Sequence, residues 1–189
     1  GEPHAEIFAL REAGAAAAGA VAYVTLEPCS HHGRTPPCVE ALMEARVARV
    51  VVAMRDPNPA VNGSGILRLV QAGIPCSTGL LDEEAAEINR GFVHRMLHGR
   101  PWVTLKLGAS LDGRTALANG TSKWITSEKS RADVQRLRAR ACAVITGSGT
   151  VVADYPMLTV RDSQDEMRGR RPMRVGLYTD LRTPTTAQV

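Results

Sequence analysis

Apolar and polar residues follow one another along the first half of the chain in a pattern typical of alternating helices and strands. A helical pattern from Ala5 to Ala18 precedes the apolar run VAYVTLE, which begins at Val21. Further helical patterns separate two more apolar runs, ARVVVAM and a short one near Cys76. Strands separated by helical patterns of about ten residues predict an α/β fold, with a mainly parallel sheet covered by helices.

A domain boundary is predicted near the middle of the chain. The last helical pattern of the first half runs from Asp82 to Leu97, with Asp82 as a cap and a following HG as a stop signal. GRP then precedes a fresh apolar run. We therefore predict one domain over residues 1–99 and a second over residues 100–189.

The second half has a weaker but readable pattern. It is predicted to begin with a strand, WVTLKLG, and to continue with a helix from Ser127 to Ala141 and a strand, CAVITG. After that strand, GSGTVV predicts a Gly-rich loop rather than a helix, and the G-x-G-x-x-G dinucleotide fingerprint is incomplete. A polar stretch, DSQDEMRGRR, and a strand, MRVGLYTD, follow.

Composition narrows the class of protein without choosing a function. The 189 residues are 44% hydrophobic and 22% charged, which is typical of a globular protein. No apolar run approaches the roughly 20 residues of a membrane span, and the start lacks a signal-peptide pattern, so we expect a cytoplasmic protein. The net charge of +4 suits nucleic acid and a phosphorylated small molecule equally well.

Four residues near the start of the chain have the chemistry of a hydrolytic zinc site. Such a site needs three protein ligands, one open position and a base that does not bind the metal. His4, Cys29 and Cys38 supply the ligand count, and Glu6 lies close to His4 in sequence. Each cysteine follows a proline, where a loop is predicted to meet a helix whose N-terminus favours thiolate. H-A-E followed by two P-C pairs repeats the layout of zinc-dependent base deaminases.

The remaining cysteines, Cys76 and Cys142, lie in predicted strands. Nothing in the sequence indicates a secreted protein, so a disulfide framework is not expected. We predict that both are buried and act as small hydrophobic residues.

Longer segments carry a more specific resemblance. TLEPCSHHGRTPPC, with PHAE before it and DPNP after it, resembles the deaminase half of the bifunctional deaminase/reductase family of riboflavin biosynthesis. Polynucleotide deaminases instead have P-C-x-x-C, with a shorter loop. WVTLKLGASLDGRTA, SKWIT and ITGSGTVVADYPMLTVR resemble the reductase half, in the same order. The resemblance implies a cytidine-deaminase-like three-layer sandwich followed by a partial dihydrofolate-reductase-like domain.

The resemblance also implies roles for individual residues. His4, Cys29 and Cys38 would bind Zn²⁺, and Glu6 would carry protons between water and the amino group that leaves as ammonia. His31, His32 and Arg34 are interpreted as loop residues near the substrate. In the second half, the family's NADP contacts match Gly108, Trp124, Thr150 and Asp154, and its substrate contacts match Ser122, Arg138, Leu158 and Arg161, with Lys106 as an additional substrate contact.

The implied reactions are the zinc-dependent deamination of 2,5-diamino-6-(5-phosphoribosylamino)pyrimidin-4-one and the NADPH-dependent reduction of its ribosyl group to ribityl. We expect a homo-oligomer that binds this small phosphorylated pyrimidine and neither nucleic acid nor membrane. Relative to the family, the sequence is expected to lack an N-terminal segment of the deaminase domain and a C-terminal part of the reductase domain. A gap in the sequence is suspected within VRDSQDEMRGRRP.

Two alternatives remain open from the sequence. One is a zinc-dependent nucleic-acid base deaminase, which the basic pI of about 9.1 favours and the long loop between the cysteines disfavours. The other is a non-catalytic module in which zinc only holds the fold. The role of Glu6 separates the second alternative from an enzyme, because a structural site needs no proton carrier.

Overall fold

The chain forms two compact units. The computed structural model describes residues 3–161, 171–180 and 183–189. One unit ends at Thr104 and the other begins at Leu105; they are called here the first and the second unit. The sequence pattern places the boundary a few residues earlier, after Gly99.

A three-stranded parallel sheet forms the middle of the first unit. Its strands lie in the order β1 (Val21–Leu26), β2 (Arg49–Met54) and β3 (Cys76–Thr78). Tyr23 of β1 is in register with Val51 of β2. The carboxyl ends of these two strands meet at one edge, where the Glu27 N–H donates to the Met54 carbonyl at 3.0 Å. The predicted parallel sheet is confirmed, and its edge positions the loops that follow β1 and β2.

The helices of the first unit are short. They are α1 (Ala5–Ala13), continued by a 3₁₀ turn (Gly14–Ala17), α2 (Cys38–Glu44), α3 (Ser64–Gln71), α4 (Asp82–Ile88) and α5 (Arg90–His98). The prediction of one helix from Asp82 to Leu97 is wrong, because the helix is divided at Asn89. The Asn89 side-chain amide donates to the Ala85 carbonyl at 3.0 Å, and the Asn89 backbone N–H donates to the same oxygen at 3.2 Å.

The core of the first unit lies between β2 and the helices that pack on it. Val50 and Val52 of β2 are fully buried, as are Val39 of α2 and Leu69 of α3, and Leu42 of α2 is 1% exposed. Strand β2 is the central strand, which explains its near-continuous run of valines. Each such side chain contributes about 1.5–3 kcal/mol by leaving water, so this cluster fixes the frame that holds the loops.

The second unit contains fewer regular elements in its described part. They are α6 (Glu128–Arg140), β4 (Ala143–Gly147), α7 (Ser148–Asp154) and β5 (Met173–Leu177), with β4 and β5 parallel. Ser127 caps α6, since its side-chain oxygen accepts from the Ser130 N–H at 3.2 Å. Most of the polar stretch DSQDEMRGRR, together with the suspected gap, lies outside the described residues.

Two predictions for the second half of the chain are wrong. The run WVTLKLG is irregular, and Val103 and Leu105 are about four-fifths exposed, at 80% and 81%. Within the described residues this run pairs with no strand, and a strand needs a neighbour for its backbone groups. The predicted Gly-rich loop GSGTVV is in fact mostly helix α7, which begins at Ser148, because Val151 is fully buried and its packing overrides the weak helix propensity of glycine and valine.

The two cysteines outside the candidate site differ from each other. Cys76 lies in β3 and is partly buried, and burial, followed by the charge of Glu27, raises the pKa of its thiol. Cys142 is exposed and precedes β4, so the prediction that it is a buried strand residue is wrong. Strand β4 begins one residue later than the apolar run suggests.

Candidate metal centre

Three side chains that are distant in sequence meet at one end of the first unit. His4 is the residue that precedes the first turn of α1. Cys29 follows β1 after a two-residue segment, Glu27–Pro28, and Cys38 is the first residue of α2. Cys38 therefore lies at a helix N-terminus, as predicted. Cys29 lies in a loop instead, but it reaches the same helix start because its Sγ accepts from the Cys38 N–H at 3.3 Å.

The donor atoms of these residues have the spacing of a metal site. His4 Nδ1 lies 3.2 Å from Cys38 Sγ and 3.6 Å from Cys29 Sγ. One donor atom from each of the three residues lies within 4.8 Å of the others. Ligand atoms around tetrahedral zinc, bound by sulfur at about 2.3 Å and nitrogen at about 2.0 Å, lie roughly 3.5 Å apart. The arrangement therefore fits zinc without rearrangement of the backbone.

The group is buried on one side and open on the other. Cys38 is buried, Cys29 is partly buried and His4 is exposed. Within the described residues, these three form the one group of His, Cys, Asp or Glu donors that is compact enough to hold a metal, and Glu6 is not a member of it. Three protein donors with an open side are typical of catalytic rather than structural zinc sites.

The electrostatics of the group also favour a cation. Burial, followed by the charge of Glu6 and then that of Cys29, raises the pKa of the Cys38 thiol well above its usual range. Two thiols and a carboxylate in a partly buried place repel one another when they ionise. A divalent ion reverses this balance, because it stabilises both thiolates. The chemistry of this donor set therefore fits zinc.

Glu6 lies beside the donor group. It belongs to the first turn of α1, two residues after His4, and is partly buried. Its charge contributes to the raised pKa of Cys38, which places its carboxylate close to that thiol. A carboxylate beside the donor atoms but outside the ligand set can move protons for a reacting group.

The loop between the two cysteines contains the other polar residues predicted near the substrate. His31, His32 and Arg34 are all exposed. The His32 Nε2 atom lies 4.0 Å from the Glu40 carboxylate. His31 lies close enough to Asp56 for its charge to lower the pKa of that carboxyl group. Their predicted proximity to a substrate stays a prediction.

Two buried acids near this site were not singled out by sequence reasoning. Glu27 and Asp56 are 3% and 7% exposed, and the Asp56 N–H donates to Glu27 Oε2 at 3.2 Å. Burial raises the pKa of Asp56; the N–H of Asn58 opposes this effect and the charge of Glu27 adds to it. The available signal was an acid directly before proline at the end of each apolar run, in LEP and RDP.

In the second unit, the residues matched to NADP contacts lie on two kinds of segment. Thr150 and Asp154 lie one turn apart on α7, so they share a helix face. Gly108 and Trp124 lie in irregular segments. Trp124 is 67% exposed, and the guanidinium of Arg131 lies 4.3 Å from its ring centroid, which is the geometry of a cation–π contact.

The residues matched to substrate contacts are brought together only in part. Arg138 of α6 donates to the Thr159 carbonyl at 3.2 Å, and burial followed by the charge of Arg161 lowers its pKa. Leu158 is 7% exposed, with a positive φ of 51°. These contacts place α6 against the segment 158–161.

The last two matched residues lie elsewhere in the second unit. Lys106 is exposed and Ser122 is half-buried, and both belong to irregular segments. The Lys106 Nζ atom lies 3.5 Å from the position that a Cβ would take at Gly108. This contact places a cation beside a glycine that was matched to the cofactor.

Comparisons with known proteins match different families to the two halves of the chain. Residues 1–54 match the family described as "Cytidine and deoxycytidylate deaminase zinc-binding region", and residues 101–189 match "RibD C-terminal domain". The chain is 63% identical over 164 residues to the riboflavin biosynthesis protein RibD of Escherichia coli, covering 87% of this chain and 45% of that protein.

Further relatives are similar over the whole chain. RibD of Bacillus amyloliquefaciens is 52% identical over 189 residues, covering 100% of this chain and 50% of the relative. A solved structure of Acinetobacter baumannii RibD has a TM-score of 0.92 at 53% identity, covering 99% of this chain and 53% of that one. The chain belongs to the RibD family.

A more distant solved structure carries a functional description. It is the Thermotoga maritima diaminohydroxyphosphoribosylaminopyrimidine deaminase/5-amino-6-(5-phosphoribosylamino)uracil reductase, with a TM-score of 0.84 at 40% identity. The match covers 95% of this chain and 51% of that one. The chain spans about half the length of the curated RibD relatives that it matches.

The RibD comparisons also decide the fold class. The first unit is cytidine-deaminase-like, and the second is part of the dihydrofolate-reductase-like domain of RibD, so the predicted fold class is confirmed. In the part of the chain that the structure describes, no helix combines the length and the apolar composition needed to cross a bilayer.

Proposed function

We propose that this chain carries a zinc-dependent pyrimidine deaminase over residues 1–99 and part of an NADPH-dependent reductase over residues 100–189. The substrate is 2,5-diamino-6-(5-phosphoribosylamino)pyrimidin-4-one, an intermediate of riboflavin biosynthesis. The convergence of His4, Cys29 and Cys38, whose donor atoms lie within 4.8 Å of one another, carries this proposal. Membership of the RibD family supports it.

The deaminase residues divide the work between holding a metal and moving protons. His4, Cys29 and Cys38 hold the zinc ion. When bound, zinc supplies Lewis-acid activation, which lowers the pKa of water toward neutrality. The water oxygen bonds to the amino-bearing ring carbon while Glu6 takes one of its protons and passes it to the neighbouring ring nitrogen. Glu6 then moves the second proton from that oxygen to the amino nitrogen. The carbon–nitrogen bond then breaks, a carbonyl forms at that ring carbon, and ammonia leaves.

The reductase residues divide between cofactor and substrate. NADPH, when bound, supplies the hydride that converts the ribosyl unit to a ribityl chain. Gly108, Trp124, Thr150 and Asp154 contact the cofactor, and Ser122 and Leu158 contact the substrate. Arg138 and Arg161 hold the phosphate, because guanidinium groups offer forked donors to phosphate oxygens, and Lys106 is an additional substrate contact. The closeness of Arg138 to Arg161 supports this role, since burial of one guanidinium beside another favours an anion between them.

The protein is cytoplasmic and homo-oligomeric in this proposal, and its partner is a small phosphorylated molecule rather than nucleic acid or membrane. The four free cysteines support a reducing compartment. Light scattering on the purified chain measures the oligomeric state directly.

Glu6 provides the sharpest test of the deaminase. We expect Glu6→Gln to retain zinc and to release ammonia from the pyrimidine substrate at least about a hundredfold more slowly, because the proton carrier is lost. The matched control is Glu12→Gln, which makes the same change on an exposed part of α1. Normal turnover by Glu6→Gln would contradict the mechanism and favour a structural zinc site.

A second substrate separates the proposal from its nearest rival. The wild-type chain is assayed for ammonia release from the free pyrimidine phosphate and from a short RNA hairpin that contains unpaired bases. We expect release from the small molecule alone. Faster release from the RNA would overturn the proposed substrate and identify a nucleic-acid deaminase.

A further inference from the structure

A buried acid that the proposed chemistry does not use lies two residues before the Cys29 ligand. The side-chain carboxyl group of Glu27 accepts four backbone N–H bonds. Its Oε2 accepts from Asp56 at 3.2 Å and from Gly63 at 2.8 Å, and its Oε1 accepts from Gly65 at 2.9 Å and from Ile66 at 3.2 Å. A carboxyl group offers about four acceptor positions, so the four donors occupy them all.

These bonds join three separate segments. Glu27 follows β1, Asp56 follows β2, and Gly65 and Ile66 belong to the first turn of α3. The first N–H groups of a helix have no partner within the helix, and Glu27 supplies one from outside. The end of β1 is therefore fixed against α3 and against the segment after β2.

The residue between Glu27 and Cys29 is fixed as well. Pro28 is fully buried, and its ring restricts φ. A Cβ at Gly65 would lie 2.0 Å from the Pro28 carbonyl oxygen, so the backbone of this loop lies directly against α3 at a position where only glycine fits. Little conformational freedom remains between the Glu27 anchor and the Cys29 thiol.

The other side of Cys29 is held by a different element. Its carbonyl accepts from the Val39 N–H at 3.2 Å, at the start of α2. Arg68 of α3 donates to the Ser30 carbonyl at 3.2 Å and to Glu40 of α2 at 2.8 Å. Hydrogen bonds from α2 and α3 therefore fix the Cys29 segment on both sides, and Glu27 is the buried side chain that accepts the backbone N–H bonds from α3.

We propose that Glu27 is a positioning residue for the zinc ligand Cys29. It contributes no atom to the metal or to the substrate, and it acts by holding the backbone that presents the Cys29 sulfur. This role rests on the zinc site proposed above. Residues that orient metal ligands typically affect metal affinity by about 10- to 100-fold when they are changed.

Glu27→Gln tests this role without removing a ligand. Glutamine has nearly the same shape, but its NH₂ group must face one of the two pairs of N–H donors. We expect the zinc Kd of the whole chain, measured by competition with a chelator, to rise about 10- to 100-fold. The matched control is Glu44→Gln at the exposed far end of α2, which is expected to leave the Kd unchanged.

A spectroscopic readout separates positioning from a general effect on stability. Cobalt(II) replaces zinc in the wild type and in Glu27→Gln, and the ligand-field spectrum is recorded well below the unfolding temperature of each metal-free protein. A displaced Cys29 sulfur changes the intensity and position of the cobalt bands. An unchanged spectrum together with an unchanged zinc Kd would overturn the proposal, even if Glu27→Gln unfolds at a lower temperature.

A second variant keeps the test decisive if Glu27→Gln does not fold. Glu27→Asp retains two acceptor oxygens on a side chain one methylene shorter, and we expect it to fold and to bind zinc about tenfold more weakly than the wild type. Failure of both variants to fold would identify Glu27 as a general folding residue and overturn the positioning role. Absence of zinc binding in the wild type would instead overturn the zinc site itself.

Discussion

In the first unit, three donor atoms from residues up to 34 positions apart lie within 4.8 Å of one another. In the second unit, the residues matched to cofactor and substrate lie on α6, on α7 and on irregular segments. There, the contacts that link matched residues are those of Arg138 with the 158–161 segment and of Lys106 with Gly108. The two halves resemble the same family in sequence, yet they differ in how far the described structure assembles their sites.

The two units differ in this way because different kinds of structure support their candidate site residues. The donors of the first unit are placed at the ends of β1, α1 and α2, and these elements pack on the buried cluster around Val50 and Leu69. In the described part of the second unit, the buried hydrophobic residues are Ala139, Val151 and Leu158. Side chains at the ends of elements that pack on a buried core are held in fixed positions. Side chains on irregular segments lack this support.

The largest expected effect is on zinc content, because we propose that Cys38 in the first unit binds zinc and that Cys142 in the second unit does not. Cys38→Ser is expected to reduce bound zinc from about one per chain to near zero, because hydroxyl is a poor substitute for thiolate. Cys142→Ser makes the same change at an exposed position of the second unit and is expected to retain the zinc. Elemental analysis of the purified proteins measures both. Full zinc content in Cys38→Ser would show that Cys38 is not a zinc ligand and would contradict the proposed site in the first unit.

The next effect concerns the cores. Leu69→Ala deletes a fully buried side chain and is expected to lower the free energy of unfolding by about 2–5 kcal/mol. Leu105→Ala, at a position 81% exposed in the second unit, is expected to change it by less than about 0.5 kcal/mol. Urea denaturation followed by circular dichroism measures both variants. Similar losses in the two would show that the segment beginning at Leu105 is packed after all.

A smaller effect concerns the helix that supports Arg138. Ser127→Ala removes the side-chain cap of α6 and is expected to lower the free energy of unfolding by about 1 kcal/mol. Ser127→Asp restores an acceptor at the same position and is expected to recover most of that loss. The same urea titration compares them. Equal stability of Ser127→Ala and the wild type would show that α6 does not depend on its cap.

The smallest effect is a pH dependence in the first unit. Burial raises the pKa of Asp56 above its ordinary value, so the folded chain takes up this proton before the unfolded chain does. Stability contributed by this protonation therefore increases as pH falls through the raised pKa and is lost as pH rises. Three other groups affect the pKa of Asp56: the Asn58 N–H and His31 lower it, and Glu27 raises it.

Asp56→Asn isolates this contribution. In zinc-free protein, the wild type is expected to gain stability relative to Asp56→Asn as the pH is lowered from 7 toward about 4. Asparagine keeps an oxygen that can accept the Asn58 N–H, so the change removes mainly the titration. Thermal unfolding at several pH values measures the difference. A constant difference across this range would contradict the raised pKa.

The sequence was sufficient to predict secondary structure where local patterns agree with the packing of the folded chain. The run VAYVTLE predicted β1, and Ser127 marked the start of a helix, because apolar runs and side-chain caps act over a few residues. The candidate ligands followed from motif spacing and family resemblance. Their convergence depends on a sheet edge that brings the end of β1 beside the start of α2, which no local pattern contains.

The sequence was insufficient where distant groups decide the outcome. Glu27 looks like an ordinary charged residue at the end of a strand, and its four N–H donors come from segments that begin at Asp56, far along the chain. Helix α7 was missed because the burial of Val151 outweighs local propensity.

The central claim is that one imidazole and two thiolates hold a catalytic zinc ion. X-ray absorption at the zinc edge of the purified wild-type chain measures this most directly. The account predicts two sulfur neighbours at about 2.3 Å, one imidazole nitrogen at about 2.0 Å and one further light atom from solvent. A shell of four protein donors, or a zinc ion with fewer than two sulfur neighbours, would contradict it.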